Sequence, residues 1–256
     1  MPNLLEQKAK IRANQIREKL GFFKEPVTNI FELIESLNIL LTKKPLNNSS
    51  ISAYFLHYKN NYLFFINSAH TLGRQHFSAA HEIYHYYFDK ELNGTICDTF
   101  KFKNQRNESE TLADYFAVHF LMPEDGIYKF FNIVGDQVIN INKIIKAQNY
   151  FKVSFKAMLV RLKVLELIDE DQYNEFSNIH LNSTFAKLGY SRELILPTND
   201  IYIPQSYLEI LNDNYEQNKI TENAYKEYLA DVGLSIKDIL VKEEVEDIVE
   251  ESSFDY

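Results

Sequence analysis

The chain has 256 residues, 45% of them hydrophobic, a single cysteine and a formal net charge of −9. That length accommodates one sizeable core plus an appended module. One cysteine, Cys97, excludes an internal disulfide framework, and the excess of acid argues against a protein whose main task is to grip nucleic acid. The opening Met1 to Lys8 is charged and amphipathic rather than a signal peptide, and no apolar run approaches membrane-spanning length. The expected location is therefore the cytoplasm, with no membrane partner.

In chain order, Asn3 to Leu20 reads as a helix, with Leu5, Ala9, Ile11, Ile16 and Leu20 among its apolar positions and Gly21 ending it. Asn29 to Leu37 is a second helix with Ile30, Leu33 and Ile34 inward. The period then changes. Leu40 to Thr42, Ile51 to Tyr58 and Tyr62 to Ile66 read as strands, with Asn60-Asn61 as a hairpin turn. A helix pair, a small antiparallel sheet and then further helices is an α+β order.

The next helix carries His81-Glu82-Ile83-Tyr84-His85, an H-E-x-x-H sequence. Phe77, Ala80, Tyr84, Tyr87 and Phe88 follow helical spacing, and no Pro or Gly interrupts from Arg74 to Lys90. Asn67-Ser68 and Thr71 are start signals. Positions i and i+4 lie on one face of a helix, so two imidazoles at that spacing can grip one metal ion from one side. Glu82 then sits close enough to act as a base without being a ligand. A core helix with two satisfied histidines is the competing reading, but burying two His and a Glu on one patch without a metal is costly.

A third ligand is sought downstream. Ala113, Phe116, Ala117, Phe120 and Leu121 define a second amphipathic helix that Pro123 stops. Glu110 lies on its buried stripe and needs a partner, which a metal held by His81 and His85 would supply. Asp114, four residues on, can accept the free N–H of a ligating His and fix its tautomer. Asn107 with Glu110 also reads as a capping pattern, and Glu108 is an alternative ligand one or two positions off the face. His119 is half a turn out of phase with Glu110 and is expected at the surface or rim. His57, His70, His76 and His180 have no ligand-like spacing. Cys97 is expected to be a plain thiol in the loop between the two helices.

The run from Arg74 through Phe77 to His85, then Glu110-x-x-Ala113-Asp114-x-Phe116-Ala117 and Leu121-Met122-Pro123, resembles the ImmA/IrrE family of bacterial and phage metallopeptidases. Asp114 stands where family members commonly have Asn, a change that resembles the Glu-x-x-x-Asp of thermolysin-like gluzincins. The resemblance implies one Zn²⁺ held by His81, His85 and Glu110, with Glu82 as catalytic base. It also implies an endopeptidase whose substrate is a helix-turn-helix repressor or antitoxin encoded nearby. In such enzymes an edge strand beside the metal pairs with an extended substrate, so the Ile51 to Tyr58 strand, with Ala53 and Tyr54, is the expected substrate contact. A zinc-stabilised regulatory or DNA- and repressor-binding protein without turnover is the alternative. An intact Glu82 favours catalysis, since a structural zinc site has no need of it.

Beyond Pro123, Ile139 to Phe151 and Ser154 to Leu167 form two helices with Ser154 as an N-cap. Lys143, Lys146, Lys152, Lys156, Arg161 and Lys163 make this segment basic. A DNA-reading helix-turn-helix is one reading, but a packed accessory pair with a solvated basic face is favoured; recognition of the substrate repressor is a third. Asp169 to Tyr190 is helical and polar. Pro204 to Asn218 and Thr221 to Leu229 form a helical hairpin, followed by an acidic, disordered tail. The expected domains are a metallopeptidase core at 1–130, a helix-turn-helix-like segment at 131–176, a mainly helical C-terminal module at 177–240 and the tail at 241–256.

Overall fold

The computed structural model describes residues 3–58, 61–89, 108–132 and 139–236. Asn60, Cys97, Asn107 and the acidic tail, on which expectations were placed, lie outside the described residues. The chain divides into two compact units, residues 1–200 and 201–256.

The first unit begins with helix α1 (Leu4–Lys19), whose start is fixed by Asn3; its side chain accepts the Leu5 N–H at 2.7 Å. Ala9, Ala13 and Ile16 are buried on one face, and the small alanines let another helix approach closely. Arg17 shares that face and is 1% exposed. It donates to three main-chain carbonyls, those of Phe23 (2.8 Å), Glu25 and Phe120, so its buried donors are satisfied by the backbone. Helix α2 (Ile30–Ser36) is capped by Asn29 and buries Ile30, Leu33 and Ile34.

Strands β1 (Leu40–Lys44), β2 (Ala53–Tyr58) and β3 (Asn61–Asn67) form a sheet in the order β1-β3-β2. The fold class is α+β with a small sheet, as expected, but the sheet is mixed rather than wholly antiparallel. β2 pairs with β3 antiparallel, with Tyr58 opposite Asn61, whereas β1 pairs with β3 in parallel. The link from Lys44 to Ala53 is long enough for the chain to turn back and leave a strand's width between β1 and β2, which β3 fills. β2 is therefore an edge strand.

Helix α3 (Leu72–Phe88) packs on β2 and β3 and pairs with α4 (Glu108–Leu121), which also packs on α1. Helices α5 (Glu124–Phe131), α6 (Ile141–Phe151) and α7 (Phe155–Val164) complete the body, followed by α8 (Glu170–Ser177) and α9 (Leu181–Leu188). Ser154 caps α7, its hydroxyl accepting the Ala157 N–H at 3.2 Å. The turn between α6 and α7 rests directly on α3. A Cβ on Gly73 would sit 2.7 Å from the Ser154 nitrogen, and the His76 ring bonds the Lys152 carbonyl at 2.8 Å through Nδ1. The chain then returns to the start of α3, where Leu72 N–H donates to Leu196 O and Gln75 to Thr198.

Two further expectations are corrected here. His119 is buried, 3% exposed, not at a surface or rim. Being out of phase with Glu110 places it on the opposite side of α4, and that side is occupied by Glu6 of α1 and Arg161 of α7. The basic segment is likewise not one solvated face. Arg161 is 2% exposed and donates to Met122 O at 3.2 Å, and Lys163 pairs with Glu170 at 2.5 Å.

The second unit holds a helical hairpin, α10 (Gln205–Glu216) and α11 (Glu222–Asp231), around Leu211, Tyr225 and Leu229. The Tyr215 and Tyr225 rings stack at 4.4 Å, and Asn218 takes the left-handed conformation that breaks the helices. Among the described residues no helix is long and apolar enough to cross a membrane.

Candidate metal centre

Ala79, Ala80, Ile83 and Tyr84 are buried on α3 and fix its rotation against the core. This rotation sends Tyr84 toward α1, where its hydroxyl accepts a bond from Arg12, and turns His81 and His85 toward α4. Ala113, Phe116 and Ala117 fix α4 in the same way and turn Glu110 back toward α3. His81 Nε2 lies 3.1 Å from His85 Nε2 and 3.1 Å from Glu110 Oε2, and His85 Nε2 lies 3.6 Å from Glu110 Oε1. One donor atom from each residue falls within 4.8 Å of the others, an arrangement able to hold a metal ion. A tetrahedral zinc ion with bonds of about 2.1 Å spaces its ligand atoms by about 3.4 Å, which the observed separations bracket.

The far nitrogens of both rings are also engaged. His81 Nδ1 bonds Asp114 Oδ1 at 2.9 Å, and His85 Nδ1 bonds Asp89 Oδ2 at 2.7 Å. A carboxylate can only accept, so each Nδ1 carries the proton and each Nε2 is left with its lone pair. Two lone pairs converging at 3.1 Å beside a carboxylate make an electrostatic trap for a cation. Burial opposes charging His81, but its bonds to Asp114 and Glu110 and the nearby Glu82 outweigh burial and raise its pKa to about 10. The hydrogen bond from His81 in turn lowers the pKa of Glu110, against the effect of burial. For Asp89, burial pushes the pKa up, but the bonds from His85 and Ser109 win and lower it.

Glu82 is 3% exposed and borders a cleft of about 260 Å³ together with His81, Glu110 and Asp114. Burial is the main cause of its raised pKa, with the neighbouring histidines opposing. The other wall contains Ser50, Ser52 and Ala53, at and just before the start of edge strand β2. Arg74 ties helix to sheet here, donating to Ser52 Oγ at 2.8 Å. Tyr54 is half-buried and stacks on Phe65 at 4.7 Å.

The residues expected at the site are thus placed as follows. His81, His85 and Glu110 come together, Asp114 stands behind His81, and Glu82 and Ala53 border the cleft. Glu108 points elsewhere and pairs with Lys8 at 3.6 Å. His57 stacks on Tyr62 in the sheet, and His70 bonds Ile51 O, so neither joins the cluster. Asp89 escaped sequence reasoning. Its signal was the spacing, four residues after His85, the same i, i+4 relation that pairs the two histidines.

A helix presenting H-E-x-x-H to a carboxylate on a second helix, beside an edge strand, defines a metallopeptidase-type site. The family model described as Peptidase_M78, IrrE N-terminal-like domain, matches residues 34–163, about half the chain. The chain belongs to this family. Among solved structures, a Mycobacterium tuberculosis transcriptional regulator is similar at a TM-score of 0.40 and 16% identity, over 61% of this chain and 47% of that one. The chain spans about half the length of that protein. No curated protein matches.

Proposed function

We propose that the protein is a zinc-dependent endopeptidase that cleaves a specific protein partner, a helix-turn-helix repressor or antitoxin encoded nearby. The observation that supports it best is the joint placement of three converging donors and a buried, unligated carboxylate on one cleft. His81, His85 and Glu110 would hold the ion, with Asp114 and Asp89 fixing the two imidazole tautomers. When bound, zinc supplies Lewis acidity that polarises a peptide carbonyl and lowers the pKa of water towards 7. Glu82, with its basicity raised by burial, takes a proton from the attacking water and delivers it to the leaving amine. The edge of β2 that is unpaired among the described residues, with Ala53 at the cleft and Tyr54 next to it, would receive an extended substrate backbone.

In this reading residues 1–130 carry the chemistry, the 131–176 segment buttresses α3, and the 177–240 module serves regulation or partner contact. Location in the cytoplasm belongs to the same proposal. The test is incubation with the helix-turn-helix protein encoded beside this one, with cleavage followed by mass spectrometry. Glu82→Gln should retain metal and lose cleavage. Cleavage retained in that variant refutes the assignment of the base. Metal content of Glu110→Ala against Glu108→Ala decides the third ligand.

A further inference from the structure

A second cavity, of about 530 Å³, opens beside the metal cleft. Its lining falls into three stripes: Arg74 and Phe77 of α3 with Thr71 just before it; Tyr115 and Val118 of α4 with Met122 just after it; and Ala157, Val160 and Val164 of α7, with Glu6 and Arg161 at one end. Arg74 and Phe77 line the metal cleft as well, so the two spaces share a wall. As numbering falls along α3 from His81 to Thr71, it rises along α4 from Glu110 to Met122. The two cavities are therefore successive stretches of one valley between antiparallel helices.

The floor and far wall are apolar. Val160 and Val164 are 42% and 58% exposed, an apolar edge left open to water. Scattered exposed valines need no explanation, but two on one helix turn, facing Phe77, Tyr115 and Val118 across a groove, form a patch. Arg74 and Lys156 stand on its border, both exposed, and neither forms an ion pair among the described residues.

We propose that this groove docks an apolar, acid-bearing helical segment of the protein substrate, on one side of the bond presented to Glu82. The inference rests on the peptidase reading for its biological occupant and on three observations for its chemistry. The groove continues the cleft through Arg74 and Phe77. Arg74 and Lys156 have no carboxylate partner among the described residues, and the one acid of the lining, Glu6, is taken up by His119 and Arg161, so an acidic occupant is more complementary than a basic one. Its apolar walls offer few main-chain hydrogen bonds, so an occupant must arrive with its own backbone satisfied, which a helix does and an extended strand does not. The extended part of the substrate would lie on β2 and the helical part in the groove. Selection would then depend on a folded feature away from the scissile bond.

The test uses the full chain carrying Glu82→Gln, so that nothing is cut. The probe is a fluorescein-labelled peptide of about twenty residues, long enough to become helical on docking, with leucine at i, i+3, i+4 and i+7 and glutamate elsewhere. Binding is read by fluorescence anisotropy. Val160→Asp should weaken it about tenfold or more, by removing buried apolar area and adding a like charge. Lys156→Glu should weaken it about fivefold, an effect that fades as salt is raised. Ile210→Asp, at a still more exposed apolar position in the second unit, should leave it unchanged. Three results would overturn the proposal: no binding to the parent, equal binding to Val160→Asp, or equal binding of a probe with lysine in place of glutamate. Sedimentation showing a dimer that Val160→Asp dissociates would assign the groove to a second copy and also overturn it. Turnover is not part of this readout. A chain that binds the probe but cleaves nothing refutes the peptidase reading alone, and a chain that cleaves its partner but ignores the probe refutes the groove alone.

Discussion

Gly73→Ala places one methyl group where two parts of the fold touch, and its sign is fixed by which of two effects wins. In a free helix the change is favourable by about 1 kcal/mol, because glycine is a poor helix former. Here the new Cβ would lie 2.7 Å from Ser154 N, 2.8 Å from Val153 C and 2.9 Å from Ser154 Cα. Relaxed heavy-atom contacts are about 3.5–4.0 Å, so the turn must retreat by roughly 0.8 Å or more. All three obstacles are backbone, and that backbone is anchored. Val153 is fully buried, Ser154 caps α7, and the Lys152 carbonyl accepts from His76. Overpacking of this kind costs about 1–3 kcal/mol, and a lengthened His76 bond adds about 0.5–1.5 kcal/mol. The net expectation is a loss of about 1–3 kcal/mol in urea unfolding, with zinc affinity unchanged because Gly73 is two turns from His81. A variant as stable as the parent, or more stable by the helix-propensity gain, would refute the close approach of α3 to the α6–α7 turn.

The other expectations follow from single contacts. Asp114→Ala and Asp89→Ala should each weaken zinc binding by about 10–100-fold in competition with a chromophoric chelator, since each removes the acceptor that orients a ligating ring. Arg17→Met strips the donors from the carbonyls of Phe23, Glu25 and Phe120; at about 1–3 kcal/mol for each acceptor left dry, stability should fall by about 3 kcal/mol or more. Burial holds His76 neutral, with its pKa lowered from 6.5 to about 4. The unfolded chain therefore binds the extra proton first, and stability present above pH 6.5 is lost as pH falls towards 4, by about 3 kcal/mol. His119, lowered to about 3, acts in the same direction. The drop in urea midpoint between pH 7 and pH 4.5 should shrink in His76→Asn; an unchanged drop would show that His76 is charged in the fold.

How much of this was legible depended on the range of the signal. His81, His85, Glu110 and Asp114 were readable because helical periodicity is local: once Ala80 and Tyr84 face inward, the phase of the histidines is determined, and Ala113 and Phe116 do the same for the carboxylates. The parallel pairing of β1 with β3 was not, because nothing within Leu40–Lys44 distinguishes one neighbour from another. The groove was not either. Val160 and Val164 read simply as apolar positions on a helix, and only the fold shows that no described residue covers the stripe.

The basic segment shows where local reading had more to give. Six cations between residues 143 and 163 were weighed together as a face, yet Arg161 lies three residues after Met158 and four before Leu165, in phase with the apolar stripe of α7. A cation in that phase must be buried. It then needs acceptors that bring no charge to be desolvated, and the ends of helices provide them as free carbonyls. Arg161 takes the carbonyl of Met122 just past α4. Arg17, in phase with Ala9 and Ala13 on α1, takes the carbonyl of Phe120 two residues earlier. Two arginines from different helices thus close the last turn of α4, the helix whose first turn presents Glu110. Arg161, read as one cation of a solvated basic face, is better explained, together with Arg17, as a clamp on the far end of α4.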